Sequence, residues 1–463
     1  MIPFSIAEIA EVTGASLEAV SDPAAIVTGS VVIDSRHAVP GVLFAALPGE
    51  RVDGHDFAAA AVAAGAVAVL ANRRTGVPSL VVPDVPAALA RLARAVVDRV
   101  PGLTIAGITG SAGKTTTKDL AAQLIGSLGA TVAPRNSFNN EIGHPLTVLR
   151  VTGNTRYLVT ELSARGPGHI AALCRVAPPA LGVVLCVGNA HAGEFGSIEQ
   201  VAAAKAELPA ALPAAGVALL NADDPLVAAM AQRTAATVVT FGRSNGADIR
   251  ATNVGLDELS RASFTLEMPD GKAAVMLRLH GEHNVTNALA AGALAGQLGM
   301  DVEAIAAGLS AATAQSRWRM EVTERQDGVI VVNDAYNASP EAMAAALAAL
   351  RVMAAGRRAY AVLGRMAELG ERSGEFHEQA GMAAARAGLA GLIAVGDEAA
   401  PMLTGAKSVA GYTGELIGVP DGRAALAALA ERLRPGDVVL VKASRAAGLQ
   451  AVALELTEEE ATR

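Results

Sequence analysis

The chain has 463 residues, enough for two to four domains with cores of their own. It is 52% apolar but only 3% aromatic, which favours helices packed closely on sheets over an aromatic-rich β-sandwich. A formal net charge of −8 with no long basic run argues against nucleic acid as a partner. Two cysteines, Cys174 and Cys186, are too few for a disulfide framework and read as reduced core residues of a cytoplasmic protein.

At the N-terminus Glu8 and Glu11 stand where a signal peptide would need basic residues ahead of an apolar stretch. The longest apolar run, 57–71, is broken by Gly65 and too short to span a bilayer. It reads as a helix, a stop and a strand over 66–70. Further strands near 31–33, 43–45 and 79–82 make residues 1–98 a small α/β unit. Pro101-Gly102 then punctuates the chain. A second unit, 99–314, alternates helices with strands near 104–108, 157–161, 181–187 and 217–220. A third, 315–463, does the same with strands near 329–333, 359–363, 392–395 and 438–441. Alternation of this kind predicts mostly parallel sheets throughout.

Residues 104–117, Thr-Ile-Ala-Gly-Ile-Thr-Gly-Ser-Ala-Gly-Lys-Thr-Thr-Thr, carry the strongest chemical signal. An apolar strand runs into the turn Gly110-Ser111-Ala112-Gly113, and Lys114, Thr115 and Thr116 open a helix. Backbone N–H groups of such a turn form an anion-sized concavity at a positive helix end. Lys114 can then reach the β- and γ-phosphates of a nucleotide, and the Thr115 hydroxyl can ligate Mg²⁺. The pattern is shorter than the usual P-loop, because Ile108 stands where its first glycine would be. The competing reading is a Gly-rich turn with a solvent-exposed lysine.

Polar residues recur where strands end: Glu161, then Asn189 and His191, Asn221 and Asp223, Asp334, and Lys442. In open α/β sheets, ligands bind outside the carboxyl ends of the strands. Glu161 suits Mg²⁺, which takes few carboxylates plus phosphate oxygens and water, or else is a solvated strand end. His191, in a Gly-rich loop, is balanced between ligand and structural roles. Lys205 is a lone lysine among alanines, either snorkelling at the surface or pointing inward. Asn284 and Asn287 are three apart and can face one ligand, although helix capping is the favoured reading. The loops at 333–343 and 364–370 hold Asp334, Tyr336, Asn337 and Glu368, residues that bind ligands or merely shape turns.

Taken together, these segments resemble the Mur ligases, the ATP-dependent amide-forming enzymes of peptidoglycan precursor synthesis, nearly end to end. The short phosphate loop is normal for that family. Four stretches are similar to the member that adds D-alanyl-D-alanine to the UDP-MurNAc-tripeptide: 136–146, 189–197, 334–340 and 364–370. The Asp-Asn-Pro-Arg-type motif expected of the member adding the third residue is absent from the sequence.

The resemblance implies three domains: a small α/β N-terminal domain for the UDP substrate, a central P-loop-type mononucleotide-binding domain, and a C-terminal Rossmann-like domain for D-alanyl-D-alanine. It implies ATP and Mg²⁺ as cofactors. Gly110 to Thr116 would hold ATP phosphates; Thr115, Glu161, His191 and a CO₂-carbamylated Lys205 would serve the metals. Asn284, Asp334 and Asn337 would lie near the nucleotide. Arg319 would reach the γ-phosphate, with Arg317 as a competing candidate. Ser35, Arg36, His55, Asn139, Asn140, Lys442 and Ser444 would face the substrates, and Arg445 falls in the amino-acid-adding domain. The chain departs from the family's usual residues at Val42, Ser339, Arg365 and Ala443. A cytoplasmic monomer without a membrane span is expected. Another Mur-type ligase or a folylpolyglutamate-type synthase stays open, as does an ATP-binding switch or scaffold.

Overall fold

A computed structural model describes residues 1–49, 52–188 and 195–458. The chain builds three α/β sheets in sequence order. In the first, Val31–Val32, Leu43–Ala45, Ala68–Ala71 and Ser79–Val81 run parallel, and Ser16–Glu18 adds an antiparallel edge. The helix Val85–Asp98 covers this sheet. It starts where the Asp84 side chain accepts the Ala87 N–H, with Pro86 in the first turn, where a missing N–H costs nothing. Its buried face, Val85, Ala88, Leu89, Leu92, Ala93 and Val96, follows the three-to-four spacing of a helix stripe. That face shares one core with Ile105, Leu146, Val148, Leu149 and Leu158 of the next sheet's layer. Each such leucine contributes roughly 1.5–3 kcal/mol, so the first unit is fixed on the second by a continuous apolar joint.

The central sheet has nine strands. Thr237–Gly242, Val217–Asn221, Leu181–Val184, Thr104–Thr109, Tyr157–Glu161 and Thr131–Val132 are parallel neighbours in that order. Thr104–Thr109 lies between Leu181–Val184 and Tyr157–Glu161, so the chain leaves it once to either side. The crevice at that reversal is where open sheets bind ligands. The strand expected over 181–187 ends at Val184, and the freed residues Leu185–Gly188 turn back over the phosphate loop.

Continuous helix–strand alternation does not hold across the second unit. Ile249–Leu256, Arg261–Met268 and Gly271–His280 form an antiparallel meander. Their alternating burial leaves one face on the helices Asn284–Gln297 and Val302–Ala311 and the other in solvent, as antiparallel sheets allow. The signal was Pro269-Asp270-Gly271, a turn sequence between two runs of alternating hydrophobicity.

The third sheet orders Glu321–Glu324, Ile330–Asn333, Val438–Lys442, Ala359–Gly364, Gly391–Val395 and Glu415–Val419, all parallel except the first. Apolar clusters lie on both of its faces. Among the described residues no helix is long and apolar enough to cross a membrane.

Candidate active site

The carboxyl ends of the second and third sheets face one another across a cavity of about 610 Å³, the size of a small-molecule site. Its floor is the phosphate loop. The Ser111 N–H donates to Cys186 O at 2.9 Å, and the Ser111 hydroxyl accepts the Gly188 N–H at 2.8 Å. Lys114 folds back so that Nζ donates to Gly110 O at 2.7 Å. Gly113, at φ 81°, opens the helix Lys114–Gly126. A Cβ there would collide with the Asn287 carboxamide oxygen, so glycine is required twice over.

That collision explains the two asparagines. Asn287 donates to Asn284 Oδ1 at 2.8 Å, Asn284 donates to His280 O at 2.8 Å, and Thr117 Oγ1 reaches Asn287 Oδ1 at 3.3 Å. Both are buried and line the cleft. The helix cap is His283, which makes no side-chain cap bond, so the capping reading is corrected: Asn284 and Asn287 buttress the phosphate loop.

Glu161 is buried at the strand end. Its Oε2 accepts the Thr115 hydroxyl at 3.0 Å and its Oε1 accepts Asn139 Nδ2 at 2.7 Å. A carboxylate and a hydroxyl side by side, next to a phosphate cradle, match the sparse oxygen set Mg²⁺ accepts from protein. Among the described residues no three His, Cys, Asp or Glu side chains converge into a metal cluster. His191 and Asn189 lie outside the described residues. Asn140 lines the cleft, but its Oδ1 accepts the Ile142 and Gly143 N–H groups at 3.3 and 2.9 Å, holding the turn that leads into the helix Gly143–Val148.

Lys205 is 5% exposed at the end of Ile198–Lys205, so it does not snorkel. Burial first, and then the charge of Lys114, pull its ammonium down to about 7. The same cause, burial, lowers Lys114, with Glu161 opposing and Arg319 adding to the fall. Lys205 stands behind the cleft wall, close enough to feel both Lys114 and the Cys186 thiol.

The opposite wall comes from the third unit. Arg319 lies between Trp318 at φ 59° and Met320 at φ 50°. Bulky side chains in left-handed backbone carry strain that persists only where the surroundings hold it. Here the Trp318 N–H donates to Glu321 Oε2 at 3.0 Å, the Met320 N–H to Asp334 Oδ1 at 3.1 Å, and the Tyr336 N–H to Trp318 O at 3.2 Å. The Arg319 guanidinium sits 4.3 Å from the Tyr336 ring centroid and lines the cleft. Arg317 is exposed and off the cleft wall. Lys442, buried, donates to Asp334 Oδ2 at 2.6 Å and to Asn337 O at 2.8 Å. Across the gap the Tyr336 and Ser137 hydroxyls are hydrogen-bonded, and a Cβ on Gly188 would come 2.6 Å from the Glu341 carboxyl carbon.

Several expected substrate residues are not on this cleft. Ser444 is buried and accepts the Ala367 N–H at 2.9 Å, tying two loops of its own unit. Ser35 and Arg36 lie on the first unit, with Arg36 paired to Asp34 at 2.6 Å. His55 is buried there, Nδ1 2.5 Å from Asp53 Oδ1 and Nε2 accepting the Asn72 N–H at 3.4 Å. Conversely, Ser137, Tyr336 and Cys186 form part of the cleft without having been assigned a definite role there, and Cys186, expected in the core, is only partly buried. Tyr336 lies inside a motif that invited one; nothing in the spacing revealed Ser137 or Cys186.

Family descriptions match along the chain: "Mur ligase family, catalytic domain" over residues 28–100, "Mur ligase middle domain" over 108–295, and "Mur ligase, glutamate ligase domain" over 318–445. The UDP-N-acetylmuramoyl-tripeptide–D-alanyl-D-alanine ligase of Mycobacterium tuberculosis is 50% identical over 99% of both chains. A crystal structure of MurF from Acinetobacter baumannii superposes with a TM-score of 0.87 at 30% identity, covering 98% of this chain and 99% of that one. MurF ligase from Thermotoga maritima, solved in complex with ADP, gives 0.80 at 32% identity over 94% and 98%. Identity at that level across nearly the whole length settles the lineage: the chain belongs to the Mur ligase family, on the branch of the UDP-N-acetylmuramoyl-tripeptide–D-alanyl-D-alanine ligases.

Proposed function

We propose that this protein joins the amine of D-alanyl-D-alanine to the terminal carboxylate of UDP-MurNAc-tripeptide, converting ATP to ADP and phosphate. The observation that carries the reading is Lys114 of the phosphate loop and Arg319 of the third unit, two cations from two units lining one cleft.

A carboxylate does not accept an amine at neutral pH. Its oxygen attacks the γ-phosphorus, ADP leaves, and an acyl phosphate forms. The dipeptide amine then attacks the acyl carbon, a tetrahedral intermediate collapses, phosphate leaves, and the amine proton passes to solvent. The turn 110–113 and Lys114 hold the phosphates, and Arg319 neutralises charge on the transferred group, so the protein's work is positioning and electrostatics. Thr115 and Glu161, with His191, would hold Mg²⁺, which when bound screens the phosphate oxygens and polarises the γ-phosphoryl group. Asn139 orients Glu161 for that task. Lys205 has the lowered basicity that lets a neutral amine add CO₂ with loss of a proton; the carbamate would replace a cation that repels metal with an anion that attracts it. Asp334, Asn337 and Lys442 shape the wall facing the nucleotide.

Residues 1–98 would bind the UDP substrate, with Ser35, Arg36 and His55 on that surface, 99–314 would bind ATP, and 315–463 would bring the dipeptide. ATP and a UDP-linked precursor put the reaction in the cytoplasm, and one chain carries all the parts, so the working form is a monomer.

The test is phosphate release in the presence of ATP. It should require the UDP-tripeptide and D-alanyl-D-alanine together. Equal release with a single diamino acid in place of the dipeptide would point to another Mur-type ligase and overturn the reading.

A further inference from the structure

Arg445 follows the strand Val438–Lys442, and its guanidinium carbon lies 5.0 Å from the Trp318 ring centroid and 5.3 Å from that of Tyr336. It is exposed, and among the described residues no carboxylate pairs with it. Two aromatic faces fix a long, solvated side chain that would otherwise be mobile, yet its charge is left unspent. The second face is the Tyr336 ring that also carries Arg319 at 4.3 Å. One ring thus supports two cations, one lining the cleft and one beyond its wall.

We propose that Arg445 binds the free carboxylate of the incoming dipeptide; this rests on the ligase reading above. The shared ring bounds the distance. The two guanidinium carbons lie within about 10 Å of each other, and a dipeptide backbone spans about 7 Å. An amine poised at an acyl phosphate beside Arg319 therefore leaves its carboxylate within reach of the Arg445 side chain. The planar fork of arginine matches a carboxylate through two parallel N–H···O bonds. The dipeptide's two methyl groups offer little to recognise, so the carboxylate is the feature that distinguishes the dipeptide from a neutral amine.

The experiment compares D-alanyl-D-alanine with D-alanyl-D-alaninamide, which keeps the amine and loses the charge. In the wild type the amide should raise KM by about 30-fold. Arg445→Ala should raise KM for the dipeptide by a similar factor, discriminate the two acceptors by less than about 3-fold, and leave KM for ATP and the UDP-tripeptide unchanged. Trp318 is the chain's one tryptophan, so its emission should respond to the dipeptide but not to the amide, and in Arg445→Ala to neither. A variant that discriminates as sharply as the wild type overturns the assignment alone. A wild type that never uses the dipeptide overturns the ligase reading and this assignment with it.

Discussion

The two walls of the cleft are built by different physics. On the phosphate-loop side, buried polar groups find protein partners through short, directional bonds: Lys114 to Gly110, Thr115 and Asn139 to Glu161, Asn287 to Asn284. On the opposite side Lys442 is paired with Asp334, but Arg319 rests on an aromatic face, Trp318 and Met320 sit in left-handed backbone, and the Arg319 Nε is buried without a partner among the described residues. The first wall is organised before a ligand arrives. The second keeps its charge and strain in reserve, as suits a surface that docks on a substrate held by the first.

The largest test of that contrast is Lys114→Ala. Removing a preorganised cation from the phosphate cradle should cut kcat by about 10³-fold or more, while the melting temperature stays nearly unchanged because burial already disfavours the charge. Activity within a few-fold of wild type would remove the preorganised wall from the mechanism.

Lys205 is next, and pH reports it. Its amine titrates near 7, so carbamate formation and turnover should fall as pH drops through 7 and recover partly with added bicarbonate. Lys205→Ala should lose about 10²-fold or more and regain activity with formate or acetate; a fully active variant rejects the carbamate. The folded-state pKa lies below the unfolded one, so the unfolded chain holds more protons between about pH 7 and 10.5 and stability falls as pH falls through that window. In CO₂-free buffer Lys205→Met should therefore raise stability, by at most about 5 kcal/mol, and by more at pH 6 than at pH 10. Calorimetry at both pH values measures it.

Arg319→Ala addresses the other wall. It should lower kcat by about 10²-fold with a smaller change in KM for the UDP substrate, whereas Arg317→Ala should be nearly silent. The reverse pattern would mean that the exposed arginine, not the stacked one, closes on the nucleotide.

The difference between the walls also decides how much of the site could be read beforehand. The phosphate loop is local: a strand, a Gly turn and a helix within fourteen residues, so its chemistry sits in consecutive letters. Glu161 was legible as a carboxylate at a strand end, whereas Arg319 came only from the family resemblance, with Arg317 beside it as a competitor. Asn284 and Asn287 were not separable from caps, because their task depends on a helix meeting a loop about 170 residues earlier. Helix–strand alternation hid the antiparallel meander, whose turn sequence spoke for it. The wall of stacked arginines depends on ring contacts that no spacing encodes, and Ser444 and His55 spend their polar atoms inside their own units.

The smallest effect lies at the joint between the walls. The Tyr336 hydroxyl meets Ser137 across the cleft. Ser137 is two residues from Asn139, which holds Glu161, and the Tyr336 ring carries Arg319. Tyr336→Phe keeps the ring and deletes only the bridge. A single neutral hydrogen bond contributes about 0.5–1.5 kcal/mol, so kcat should fall roughly two- to tenfold, as should the effect of Ser137→Ala. If the hydroxyls act as one latch, the double variant should be no worse than either single one, a coupling of about 1 kcal/mol in the cycle. Additive losses would mean that each hydroxyl serves only its own wall, and closure would then rest on the charges alone. Tyr336→Ala, which also removes the support of both arginines, should fall well below Tyr336→Phe; equality between them would show that the ring contributes nothing and that the stacked arrangement does not position Arg319.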